Sequence, residues 1–289
     1  MLIGGHRGCG VTDRPGITRS DIPAENTLES LLGALRAGAD FIETDAVATV
    51  EGEIVLIHSS DTSMHVLPPE QAIPGKRFVS QLTLAEVQSL RTGPGGAGRI
   101  ASLHELLQAL TAEFPGSSVI LDLELKGGPA LARPVLETIR QERFPLERIL
   151  FTSFSLETIQ ELSAQSPAAR IGLLFASARE CEAPFSCRNI EAALQRLPHL
   201  TALAPEIRDL TSETVALAAR RGFSLFTWGD CEESPLRSPA FAAAAKQAVR
   251  LCDRYRVPRA LITDFVADLR RFLTALPPSS PPAPASPCS

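Results

Sequence analysis

The chain has 289 residues, 44% of them hydrophobic, and a formal net charge of −5. That length can bury one large core and suits a single α/β barrel, while the acidic balance offers no basic face and so argues against a nucleic-acid partner. No apolar run approaches the roughly 20 residues needed to cross a bilayer. The opening MLIGG carries neither a basic lead nor a cleavage site, so a cytoplasmic protein without a transmembrane segment is expected.

The first element is a short strand, Leu2 to Gly5, which runs into His6-Arg7-Gly8 and a loop rich in Gly, Pro and Asp that lasts to Pro23. In the segment ENTLESLLGALRAG, Leu28, Leu31, Leu32 and Leu35 follow helical spacing, with Asn26 or Thr27 available as cap and Gly38 as the end. A second strand, Ala39 to Asp45, follows. Its two-residue period places Phe41, Glu43 and Asp45 on one face. Two carboxylates buried together repel each other and cost several kcal/mol without compensation. A divalent metal would supply it. The plainer reading makes them the wet face of an edge strand.

Ile54 to His58 is a β-branched apolar run that ends on an imidazole. Only Ala46 to Glu53 separate it from the preceding strand, too few residues for a helical crossover. Sharing one site with Asp45 is taken to require a parallel strand, reached by an extended return that turns at Glu51-Gly52. Residues 59–98 then read as an excursion over one end of the barrel, a candidate lid, with one helical piece in LTLAEVQSLR. Ser102 and Glu105 form a capping box that opens the next helix.

From Val119 to Lys126 the alternation is unbroken: Leu121, Leu123 and Leu125 on one face, Asp122, Glu124 and Lys126 on the other. Strand and helix patterns then alternate to Asp264, which argues for parallel strands with helices outside. The leucines would meet those helices and the charged face would point inward. Nine strand candidates compete for eight positions, and either Ile171–Phe175 or Thr201–Ala204 is expected to be surplus. The expected fold is therefore an α/β, TIM-like (β/α)8 barrel over residues 1–275. The Pro/Ser/Ala-rich tail, 276–289, is expected to be disordered.

In such a barrel, functional residues sit at the C-terminal ends of strands. His6 and Arg7, Glu43 and Asp45, His58, and Glu124 and Lys126 would then share one rim. Glu43, Asp45 and Glu124 offer only oxygen ligands, which suits Mg2+ or Ca2+. Arg7 and Lys126 would face a phosphate, and His6 and His58 could act as acid and base. Asp122, one layer deeper, is expected to be a structural partner of Lys126 or Arg7. Trp228 ends a late strand, where it could wall the substrate pocket or simply fill the core. His65, His104 and His199 are expected on the surface. The six cysteines (Cys9, Cys181, Cys187, Cys231, Cys252 and Cys288) show neither a disulfide framework nor zinc-ligand spacing, with Cys181 and Cys187 the one conceivable pair.

The ordered set His6-Arg7-Gly8, Glu25-Asn26-Thr27-Leu28, Glu43-Thr44-Asp45, His58 and Glu124-Leu125-Lys126 resembles the glycerophosphodiester phosphodiesterase family. Looser matches follow at Ser153-Phe154, Thr227-Trp228 and Ile262-Thr263-Asp264-Phe265. The resemblance implies a barrel hydrolase that releases glycerol 3-phosphate and an alcohol with the help of one divalent cation. By the same resemblance Glu43, Asp45 and Glu124 are the metal ligands, His6 and His58 the acid/base pair, and Arg7 and Lys126 the phosphate clamp, with Glu25 and Asn26 on the same rim. It also implies attack by the neighbouring glycerol hydroxyl, then opening of a cyclic phosphate by water. One departure is Ser59, where the family carries Asp directly after the second histidine; Asp61 could replace it through a loop shift. Two other readings are a lysophospholipase D-like or phospholipase C-like esterase, and a barrel without turnover that binds a phosphodiester or lipid headgroup. Oligomeric state is not legible.

Overall fold

The computed structural model describes residues 1–14, 17–58, 78–115, 120–176, 190–229 and 234–276. Its strands are β1 (Leu2–Gly5), β2 (Phe41–Ala48), β3 (Ile54–Leu56), β4 (Ile120–Leu125), β5 (Ile149–Ser153), β6 (Arg170–Phe175), β7 (Ala202–Pro205), β8 (Ser224–Thr227) and β9 (Arg259–Thr263). All but β3 are parallel to their neighbours, in the order β1-β2-β4-β5-β6-β7-β8-β9, and β9 pairs back onto β1 to close an eight-stranded barrel. Two short antiparallel ribbons, Asp13–Arg14 with Ile17–Thr18 and Arg91–Thr92 with Gly98–Arg99, stand apart from it.

The helices among the described residues are α1 (Leu28–Arg36), α2 (Leu84–Ser89), α3 (Leu103–Glu113), α4 (Ala132–Gln141), α5 (Leu156–Gln165), α6 (Ile190–Gln195), α7 (Ser212–Arg221), α8 (Pro239–Tyr255) and α9 (Val266–Thr274). Their starts follow side-chain chemistry. The hydroxyls of Thr27, Ser102, Ser155 and Thr211 each accept an N–H of the first turn, and Ser102 with Glu105 completes a capping box. None of these helices is long and apolar enough to cross a membrane.

Two apolar layers hold the barrel. Leu121, Leu123 and Leu125 face outward and join the large core shared with the helices, as their alternation predicts. Inside lie Phe41, Leu150, Leu174, Ala202, Ala204, Phe226, Ala260 and Ile262, with the Phe41 and Phe226 rings edge to face at 5.5 Å. Gly4 makes room for this plug: a Cβ there would stand 2.2 Å from the Phe41 ring.

The expectation for Ile54–His58 is corrected. It is not a parallel barrel strand. β3 runs antiparallel to β2, with Ala46 opposite Leu56 and Ala48 opposite Ile54. Both Ile171–Phe175 and Thr201–Ala204 belong to the barrel, so β3 is the surplus strand. The error lay in assuming that only a parallel strand could reach the rim. β2 overshoots the rim by three residues, and a tight turn held by Thr49 N–H to Glu53 C=O at 2.8 Å sends β3 back down. The Ile57 N–H then reaches the Asp45 carbonyl at 3.1 Å, which brings His58 to rim height.

α2 and the outer side of this hairpin bury Val47, Val55, Ile57, Val79, Leu82, Val87, Leu90 and Ile100 together. Residues 59–77 of the expected lid, with Ser59, Asp61 and His65, lie outside the described residues, as do Cys181, Cys187, Cys231, Cys288 and the tail beyond 276. Cys9 and Cys252 are free thiols.

Candidate active site

β2 and β4 supply the acids. Their register places Glu43 opposite Asp122 and Asp45 opposite Glu124, so inward-facing alternation stacks two carboxylate layers. One oxygen from each of Glu43, Asp45 and Glu124 lies within 4.8 Å of the other two. Asp122 sits below, accepting a 2.7 Å hydrogen bond from the Thr152 hydroxyl rather than serving Lys126 or Arg7. Burial, against that hydrogen bond and with help from Glu124 and Asp45, pushes its carboxyl up to about 7.

Arg7 and Lys126 are the cations of the cluster. Lys126 Nζ stands 2.6 Å from Glu124 Oε1 and 3.3 Å from Asp45 Oδ1. Arg7 Nη1 donates to Glu25 Oε1 at 2.8 Å, and its Nε lies 3.6 Å from Asp45 Oδ2. Its backbone N–H meets Glu43 Oε2 at 2.9 Å. Asn26 bonds to the acid cluster rather than capping the helix, which Thr27 does: its amide donates to Asp45 Oδ2 at 2.9 Å and accepts from the Thr44 hydroxyl at 2.6 Å. Arg7 and Asn26 both hold left-handed backbone, φ 48° and 57°. Side-chain residues pay a steric penalty there, and such conformations gather at functional sites.

The charges pull the carboxyls apart. Burial alone would raise Asp45, but Lys126, His58, Arg7 and the Asn26 amide hold it well below the usual carboxylate range. Burial and the Asp45 charge raise Glu43, with His6 opposing.

The two histidines differ as strongly. Burial would lower the His6 imidazolium, and Arg7 opposes it too, yet the Asp264 carboxylate at 2.7 Å, with help from Glu43, raises it to about 9. Burial, then Arg7, Lys126 and His6, lower His58 to about 2 against the pull of Asp45. Asp264 was not singled out in the sequence as a site residue. Its signals in the sequence are its place at the end of the last strand and the looser family match Ile262-Thr263-Asp264-Phe265.

These groups share a cavity of about 300 Å3, lined on its polar side by His6, Arg7, Glu43, His58, Glu124 and Lys126 and on the other by Phe154, Leu174, Trp228 and Ile262. Trp228 is therefore a wall of the pocket, edge to face with Phe154 at 5.6 Å, its indole N–H bonded to the Ala204 carbonyl at 2.9 Å. A larger cavity of about 590 Å3 lies between Ser20–Glu29 and Pro94–Ala101. Its one basic lining residue among those described, Arg99, is already paired with Glu105, so the chemistry belongs to the smaller cavity. His104 pairs with Glu142 on the surface, and His199 is exposed.

The donor set fits a hard divalent cation. All three candidate ligands are carboxylates, and among the described residues the buried Oδ1 of Asp45 accepts no hydrogen bond. The Lys126 ammonium at 3.3 Å is its ionic partner, and a divalent ion would take that oxygen in its place.

A (β/α)8 barrel carrying an acid cluster, two cations and two imidazoles at the C-terminal ends of its strands belongs to the class of barrel hydrolases. The profile of the glycerophosphoryl diester phosphodiesterase family matches residues 6–268, and the chain belongs to that family. Among its relatives is the glycerophosphodiester phosphodiesterase of Caldanaerobacter subterraneus, 26% identical over 71% of this chain and 79% of its own. A crystal structure from Galdieria sulphuraria, of a protein assigned the same activity, is 26% identical and superposes with a TM-score of 0.71 over 94% of this chain and 97% of the other. A phosphodiesterase of Oleispira antarctica, solved with its product sn-glycerol-3-phosphate, shares the fold at 18% identity and a TM-score of 0.69, over 95% and 97% of the two chains.

Proposed function

We propose that this phosphodiesterase hydrolyses glycerophosphodiesters to glycerol 3-phosphate and an alcohol, with one divalent cation and with His6 and His58 as its proton-transfer groups. The observation that carries the reading is the convergence of Glu43, Asp45 and Glu124 within 4.8 Å of one another beside both imidazoles. Mg2+ or Ca2+ held by these three carboxylates would supply Lewis-acid polarisation of a phosphoryl oxygen.

The remaining work falls to the chain's own side chains. Lys126 and Arg7, both facing the cavity, attract the phosphodiester anion and offset charge that grows on its equatorial oxygens. His6, protonated at neutral pH, is placed to give a proton to the departing alcohol, and neutral His58 to take one from the attacking hydroxyl. A site that separates the pKa values of two titratable groups in this way assigns an acid and a base. Glu25 and Asn26 hold Arg7 and Asp45 in place. Phe154 and Trp228 offer an apolar wall to the uncharged part of the substrate.

The test is release of glycerol 3-phosphate from glycerophosphocholine or glycerophosphoethanolamine, with and without chelator. Turnover that chelator abolishes and Mg2+ or Ca2+ restores is the expected result. No turnover with any divalent ion overturns the reading. An acylated analogue, run in parallel, measures any preference for lysophospholipid.

A further inference from the structure

His6 and Asp264 are 258 residues apart in sequence and adjacent in space. Gly5 of β1 is in register with Thr263 of β9, and the His6 N–H bonds the Thr263 carbonyl at 3.0 Å. Both side chains therefore leave the closing seam of the barrel at the same height. The Asp264 carboxylate is 3% exposed, and its Oδ1 meets His6 Nδ1 at 2.7 Å and the Val11 N–H at 3.2 Å. Gly10, at φ 110°, lets the loop close over it: a Cβ there would stand 2.7 Å from the Asp264 carbonyl oxygen. From the outer side the Arg19 guanidinium lies 4.8 Å from the centre of the Phe265 ring.

An ionised carboxylate only accepts hydrogen bonds, so the ring nitrogen against it must carry the proton. The other nitrogen is then left for chemistry in the cavity that His6 lines. We propose that Asp264 is the positioning residue of the reaction, fixing the His6 ring with Nδ1–H toward the seam and Nε2 toward the substrate's leaving oxygen. This rests on the two-histidine reading above. Arg7, Glu43 and His58 also face the ring. Arg7 repels an imidazolium, His58 is neutral, and Glu43 is committed to the Arg7 N–H, so Asp264 is the acid that the geometry makes available for orientation.

The experiment uses the full chain with 15N-labelled histidine, in chelator for spectra and with the metal for kinetics. In wild type the His6 ring is expected to show a protonated, hydrogen-bonded Nδ1. Asp264→Asn keeps an acceptor for the Val11 N–H but can present either its oxygen or its NH2 to the ring, so the enforced orientation is lost. Removing such an orienting partner is expected to lower kcat by about 10–100-fold with KM little changed, and Asp264→Glu to recover part of the loss. An unprotonated Nδ1 in wild type overturns the proposal, as does kcat retained by Asp264→Asn or an equal loss in Asp264→Glu. Turnover retained by His6→Ala would instead overturn the two-histidine reading, and the ring signals would still decide whether Asp264 sets the tautomer.

Discussion

Asp45 and Glu124 are register partners on adjacent parallel strands, so their carboxylates leave the sheet on the same face and at the same height. No choice of rotamer removes both from the rim. Lys126, two residues beyond Glu124, spans them with its ammonium. A cation at this spot is thus imposed by the backbone, and a divalent ion has to compete with Lys126 for the same oxygens.

Saturating Mg2+ or Ca2+ should therefore stabilise the fold. Binding to the native state alone gives about 2.7 kcal/mol at a hundredfold excess over Kd, read as a rise in Tm. Glu124→Gln should abolish most of that rise. An undiminished rise in this variant would place the ion elsewhere.

His58→Ala should reduce glycerol 3-phosphate release by about 10²–10⁴-fold, the usual range for loss of a proton-transfer group. Its Tm should move little, because the lost imidazole is neutral and partly exposed at the cavity. Wild-type turnover in this variant would remove His58 from the mechanism.

The His6–Asp264 pair makes stability depend on pH in a defined window. The folded pKa of His6, about 9, lies above the unfolded value near 6.5. Its contribution is fully present below about pH 6.5 and is lost as pH rises through about 9, on the order of 3 kcal/mol in all. Asp264 acts in the opposite range: its folded pKa is depressed by His6, Arg7 and the Val11 N–H against burial, so its contribution holds above the unfolded carboxylate pKa and fades in acid. Urea unfolding of metal-free wild type and His6→Gln between pH 6 and 10 should show a difference that shrinks across the alkaline window. A constant difference would contradict the ion pair.

Gly4→Ala should destabilise the barrel by about 1–3 kcal/mol, the typical range for overpacking, since the new methyl meets the Phe41 ring that sits one layer beneath Glu43. Urea denaturation measures it. Phe41→Leu in the same chain should return part of the loss, and no change in Gly4→Ala would show that the plug is loosely packed.

The acids were legible because strand alternation is local: Glu43-x-Asp45 and Asp122-x-Glu124 each announce a shared face. His6 and Arg7 were legible by the same rule, ending a strand before a Gly-rich loop. The sense of β3 was not. Eight intervening residues are compatible with either direction, and what decides is the overshoot of β2 past the rim, a tertiary length match. Asp264 was noted within a looser family match, but its place beside His6 was missed because that depends on closure of the first strand against the last, which no local pattern encodes. Asn26 was readable from the residues as one of two caps and, through the family resemblance, as a rim residue. Its left-handed backbone, set by contacts with Arg7 and Asp45, is invisible in the residue string.

The most direct measurement is a crystal soaked in Mn2+ as a stand-in for Mg2+ or Ca2+, read by anomalous scattering. One peak bonded to Glu43, Asp45 and Glu124 together, with Lys126 displaced from Asp45, is the expected result. A peak that leaves any of the three carboxylates outside its coordination shell, or no peak in the cavity at all, would contradict the account.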